Sequence, residues 1–251
     1  MKKFLLLLFA VQIVHGQSRK LVWEESFTGT ALNEKVWNFE MGNGCPNLCG
    51  WGNNERQVYT RENHIVKDSK LVITARREPD GQYTSTRITT AAKKEFQYGR
   101  IECRAKLPIG TGIWPAFWML GQNITEVGWP KCGEIDILEY VGKELHQVYT
   151  TLHTPDGYGD HAHSKKTEVF GIEEGFHVFA VDWDKDKMDF FVDDRLVFTY
   201  NPPVKTPESW PFNQPHFIIL NMAVGGNFGG PAVDDAIFPQ QFVVDYIRVY
   251  Q

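Results

Sequence analysis

The chain has 251 residues and a formal net charge of −5, with 26 Lys and Arg against 31 Asp and Glu. No block of Lys or Arg stands out from this background, which excludes a nucleic-acid partner, because phosphate binding needs a basic face. With 42% hydrophobic residues it can bury one sizeable core, yet no stretch approaches the roughly 20 apolar residues of a membrane span.

Residues 1–16 open with Lys2 and Lys3, continue through an apolar run over 4–10 and end at small Gly16. This pattern predicts a secretory signal peptide, export to the periplasm or the medium, and a mature chain of 17–251 forming one domain. Export permits disulfides. Four cysteines, Cys45, Cys49, Cys103 and Cys132, allow three pairings. No second ligand pair follows the Cys45/Cys49 spacing as a zinc site would require, so a local disulfide is expected there. Whether Cys103 and Cys132 pair is left open.

Short runs rich in β-branched and aromatic residues recur between Gly, Pro, Asn and Asp clusters, at 71–75, 100–107, 178–183, 188–192, 217–221 and 242–250. A long amphipathic helix is missing, and an all-β domain is indicated. Between the strands, the Asp182 to Lys187 segment alternates acids like a calcium loop but lacks the Gly at position six, so it reads as a hairpin turn. His161 and His163 lack an acidic third ligand and read as a solvated loop. Asn123-Ile124-Thr125 is a glycosylation sequon.

Trp114 and Trp118 stand four residues apart, so on a strand both indoles face one side. Indole faces match the apolar C–H faces of pyranose rings. Further on, Gly133-Glu134-Ile135-Asp136-Ile137-Leu138-Glu139-Tyr140 sets three carboxylates into a strand-forming sequence. Period two places Glu134 and Asp136 on one face and turns Glu139 away, unless a β-bulge at Ile137-Leu138 adds a residue. With the bulge the two Glu Cα atoms lie about 13 Å apart, and side chains leaning together bring the carboxyls to about 5 Å. Retaining glycosidases have that separation. Three adjacent like charges also repel, which suits a site where one carboxyl must stay protonated.

The E-x-D-x-x-E pattern within GEIDILEYVG resembles the signature of glycoside hydrolase family sixteen, in the bulged form of laminarinase-type endo-β-1,3-glucanases. The likeness runs from about Leu21 to Tyr250 and includes GIWPAFWML, GWGNNE (50–55), YTSTR (83–87) and TLHTP (151–155). It implies a two-sheet antiparallel β-sandwich of jelly-roll, concanavalin-like form, with a concave groove for an internal stretch of β-1,3-glucan. Glu134 is then the nucleophile and Glu139 the acid/base, with Asp136 orienting the first and keeping the second protonated. Trp114, Trp118, Asn53, Arg87 and His153 are cleft residues by the same resemblance. No cofactor is implied for catalysis, and the protein is expected to act as a monomer. A structural calcium is implied on the convex face, held by backbone oxygens of the 67–70 turn and the carboxylate of Asp245. Two positions depart from the pattern: Phe228 stands where a Trp is frequent, and Ser69 where a Gly is. Other hydrolases of this fold, acting on lichenan, agar or carrageenan, stay open as alternatives. So does a non-catalytic β-glucan receptor, which would need no carboxylate triad.

Overall fold

A computed structural model describes residues 19–251, so the predicted signal peptide lies outside the described residues. Eighteen strands, numbered in chain order, build two sheets. The outer sheet runs β16 (Arg195–Tyr200), β15 (Met188–Val192), β14 (His177–Trp183), β9 (Gly99–Lys106), β18 (Gln240–Tyr250), β5 (Lys70–Arg77), β6 (Tyr83–Ser85) and β3 (Gln57–Tyr59), with β1 (Leu21–Glu25) on β18 and β4 (His64–Lys67) on β5. The inner sheet runs β13 (His163–Glu168), β12 (Gln147–His153), β11 (Glu134–Tyr140), β10 (Ile113–Gly121), β17 (His216–Val224), β7 (Arg87–Thr89) and β2 (Asn38–Glu40), with β8 (Glu95–Phe96) on β17. All six predicted strands are present. The pairing is antiparallel throughout, apart from a short parallel contact between β3 and β6.

The burial pattern follows from where each strand lies. In β15 exposure alternates residue by residue, as expected when one face meets the core and the other meets water. In β17 all nine residues are buried, because one face packs on the core and the other lies under groove side chains. The main core fills the space between the sheets and includes Phe117, Met119, Ile135 and Ile137 opposite Ile101, Phe179, Val181 and Ile247. Truncating a side chain such as Phe117 to Ala would cost about 3 to 5 kcal/mol.

Two smaller apolar clusters sit on the other face of the inner sheet. One joins Leu120, Cys132, Phe217 and Ile219 to Trp118; the second joins Trp114, Val141 and Ala223 to Tyr149 and Phe228. They bracket the carboxylates. Cys45 and Cys49 form the expected disulfide, while Cys103 and Cys132 are free and buried. The last two belong to different clusters, Cys103 between the sheets and Cys132 beyond the inner one, so they do not meet.

Candidate active site

The register of β11 creates the site. Asp136 pairs with Thr151 and Glu139 with Tyr149, so two residues of β11, Ile137 and Leu138, oppose the single Thr150 of β12. On the other side Trp118 faces Asp136 and the next residue back, Phe117, faces Leu138. This is the predicted bulge. It buries Ile137 and Leu138 completely and keeps Glu139 in line with Glu134 and Asp136. Gly133 leads into the strand at φ +75°, and a Cβ there would lie 2.9 Å from the Phe212 ring. Only glycine fits that approach.

Rows of side chains cross the inner sheet at the level of each carboxylate. His153, Glu134 and Leu120 align, then Thr151, Asp136 and Trp118, then Tyr149, Glu139 and Ala116, with Asn221 and Arg87 continuing the last row. Glu134 accepts a hydrogen bond from Trp129 Nε1 at 2.7 Å. Glu139 accepts from Trp114 Nε1 at 3.1 Å and from Thr151 Oγ1 at 3.2 Å. Asp136 has its Oδ2 buried with no hydrogen-bond partner in the structure, and His153 Nε2 lies 3.4 Å from it and 3.9 Å from Glu134 Oε1.

All three acids titrate above the ordinary carboxylate range. Burial, then the charge of Asp136, pushes Glu134 up to about 8. Burial pushes Glu139 up to about 7, with His153 opposing and Glu134 adding to it. Burial and the charge of Glu139 hold Asp136 well above its usual value. The cluster therefore retains protons near neutral pH. Asp136 is the more enclosed of the adjacent pair, its side chain 5% exposed against 16% for Glu134.

Glu134, Asp136 and His153 place one ligand atom each within 4.8 Å of one another, a spacing that suggests a small cation. The histidine argues against one. Gly159 N–H donates to its Nδ1 at 3.2 Å, so the proton of the neutral ring sits on Nε2, the nitrogen nearer the two acids. A metal-ligating Nε2 requires the proton on Nδ1, donated to an acceptor. In this tautomer His153 presents a proton, and no lone pair, to a cation.

The structure brings together Glu134, Asp136, Glu139, Trp114, Trp118, His153 and Arg87, and places Asn53 at the edge, where its Nδ2 is 3.4 Å from Glu55. The two indoles share one side, as their spacing requires, but Trp114 offers no bare face, and Trp118, half-buried, has one face covered. Trp114 is 9% exposed and meets Phe228 edge-on at 5.3 Å. Arg87, paired with Glu40, lies over the rings of Trp118 and Trp51 at 4.9 and 4.5 Å. The open aromatic surface belongs instead to Trp129 and Tyr158, 46% and 48% exposed and in edge contact at 5.4 Å. Sequence reasoning missed both. Trp129 stands five residues before Glu134, outside any strand period, and only that proximity could have marked it.

Asp245 lies away from this site, on β18 of the outer sheet. Its carboxylate is bound by Arg104, with Lys70 Nζ 4.0 Å away, and the neighbouring Glu24 is held by Arg248 at 2.7 Å. A calcium ion needs six to eight oxygens free to turn inward. Here two carboxylates already face three cations, so the side chains at this corner, as they stand, do not fit calcium.

Three carboxyls brought to one face by a bulge, beside exposed aromatic rings on a β-sandwich, define a glycoside hydrolase. The chain belongs to glycosyl hydrolases family 16, whose model matches residues 52–248. A laminarinase from Flavobacterium sp. UMI-01 superposes with a TM-score of 0.91 at 66% identity, covering 92% of this chain and 100% of that one. The glucan endo-1,3-beta-glucosidase of Cryptopygus antarcticus is 40% identical over 269 residues, covering 98% of this chain and 96% of the relative. The clotting factor G alpha subunit of Tachypleus tridentatus is 42% identical over 94% of this chain, which spans 35% of that longer protein.

Proposed function

We propose that this protein is an exported, monomeric endo-β-1,3-glucanase that cleaves laminarin-like polymers with retention of configuration. The observation that carries the reading is the bulge at Ile137-Leu138, which keeps Glu134 and Glu139 on one face with Asp136 between them. Glu134, in its ionised form, attacks the anomeric carbon and forms a glycosyl ester, with Asp136 beside it to orient it. Glu139, raised to about 7 by burial, protonates the departing oxygen, then takes a proton from the water that releases the sugar. Trp129 and Thr151 hold the two reacting carboxyls in place, and Trp118 lies beside them for sugar contact.

The relatives named for laminarin and 1,3-glucan support this substrate class. Digests of laminarin, lichenan, agarose and carrageenan, with the first-formed anomer read by NMR, test it. The expected result is fast internal cleavage of laminarin with a β-configured product. A first-formed α product would overturn the mechanism, and preference for another polymer would overturn the substrate. In the Glu134→Ala protein, azide should rescue turnover and yield an α-glycosyl azide. Rescue of Glu139→Ala with inversion would exchange the two roles.

A further inference from the structure

Glu55 is a buried carboxylate that the proposed reaction does not use. It is 9% exposed and accepts from Gln57 Nε2 at 2.6 Å, Tyr59 O–H at 3.1 Å and Asn53 Nδ2 at 3.4 Å. Burial lifts its pKa, while the charge of Arg87 and these donors pull it down. An acid taken out of water needs such partners, and removing it alone would leave its buried donors unpaired. Its partners lead toward the groove.

The hydrogen bonds form a chain with one allowed direction. Tyr59 has a single hydroxyl proton and gives it to Glu55, so its oxygen accepts from Asn221 Nδ2 at 3.0 Å. That fixes the amide of Asn221, whose Oδ1 is thereby aimed at Trp118 and accepts from Nε1 at 2.8 Å. Trp118 pairs with Asp136 across β10 and β11 and stands half-buried on the groove face. A second amide is fixed in the same way, since Gln57 Oε1 accepts from Val224 N at 2.7 Å and leaves Nε2 for Glu55.

We propose that Glu55 is a positioning residue, which orients the indole of Trp118 for the glucan through Tyr59 and Asn221 and sets affinity for the polymer rather than the rate of bond cleavage. The inference rests on the proposed function for its substrate and on hydrogen-bond polarity for its logic. An anion at position 55 can only accept. With glutamine there, Tyr59 is free to turn its proton toward Asn221, whose amide then flips and presents N–H₂ to the indole N–H. Two donors would face each other, and the ring would lose its fixed position.

The test compares Glu55→Gln and Tyr59→Phe with the wild-type protein. Each variant should raise KM for laminarin about three- to tenfold, the loss of roughly one hydrogen bond, with kcat changed less than about twofold. The indole N–H resonance of Trp118, assigned by its disappearance in Trp118→Phe, should move upfield in both variants. The double variant should be no worse than the weaker single one, because both cut the same chain. An unchanged KM in folded protein, an unmoved resonance, or additive losses would each overturn the proposal. Tyr59→Phe keeps the test open if Glu55→Gln fails to fold. Should the wild-type protein neither cleave nor bind laminarin, the substrate reading fails, while the indole resonance still decides the chain.

Discussion

Trp114 donates its indole N–H to Glu139, so it acts on the proposed acid/base directly as well as through packing. A donor to a carboxylate favours the ionised form, and removing it should raise the Glu139 pKa further above its present value of about 7. In Trp114→Phe the alkaline limb of the kcat/KM profile, where the acid proton is lost, is therefore expected to move up by about one pH unit. A limb that stays fixed or moves down would remove this role. Glu134 gives a prediction about stability. Its folded pKa of about 8 lies above the 4.5 of an ordinary glutamic acid, so between those values the native state keeps a proton that the unfolded chain has released. Stability from this group is complete below the lower value and is lost as pH rises through the upper one. Glu134→Gln should therefore melt at least about 2 to 4 °C above wild type at pH 9, and no higher at pH 4. Equal differences at both pH values would mean that the carboxyl is not strained by burial.

Strand β11 carries all three of the proposed catalytic carboxyls, and most of its layout was readable in the sequence. Carboxylates at an even and an odd offset from Glu134 can share a face only if a residue is inserted, and the two apolar residues between Asp136 and Glu139 are where the register shifts. Deleting Ile137 should remove the bulge and leave Glu139 four residues after Glu134, an even offset that keeps both carboxyls on the groove face. The expected outcome is a lower thermal midpoint, from the lost core side chain, with kcat of the folded fraction reduced by less than the roughly hundredfold or more that a general acid contributes. A loss of about a hundredfold or more in folded protein would show that the bulge itself, and not the shared face alone, places Glu139. Long strands such as β9, β14 and β18 were legible because their alternation spans five or more residues. The three-residue strands β2, β3, β6 and β7 were not, since so short a run shows no period. The side-to-side location of Trp114 and Trp118 followed from spacing, but not the donors' targets, because Glu139 and Asn221 reach them from neighbouring strands. Trp129 and Tyr158 stayed hidden for a related reason: they come from loops, and no periodicity ties a loop residue to a strand face.

At the scale of the whole molecule, the sandwich carries its titrating acids on one surface and a corner of fixed ion pairs on the other. At that corner Asp245 of β18 joins Arg104 of β9 and Lys70 of β5, so three adjacent strands of the outer sheet are tied across their register. Arg104 also stacks over Phe176 at 4.7 Å, and Arg248 joins Glu24 of β1 to β18. The arginines thus tie together the corner where the family resemblance places a calcium. A bound structural ion at a thousand times its Kd would add about 4 kcal/mol, which for a chain of this size is a rise of roughly 8 to 16 °C in midpoint. Half-exposed ion pairs contribute far less, up to about 1 kcal/mol each. The thermal midpoint is therefore expected to differ by less than about 2 °C between excess chelator and millimolar calcium. Raised salt should lower it slightly in either condition, because the pairs are partly screened. Arg104→Ala should lose about 2 to 4 °C through the broken pair and the lost stacking on Phe176. A calcium-dependent rise of 8 °C or more in the wild-type protein would show that Arg104 and Lys70 swing away to admit the ion, and that the charge argument at this corner is wrong.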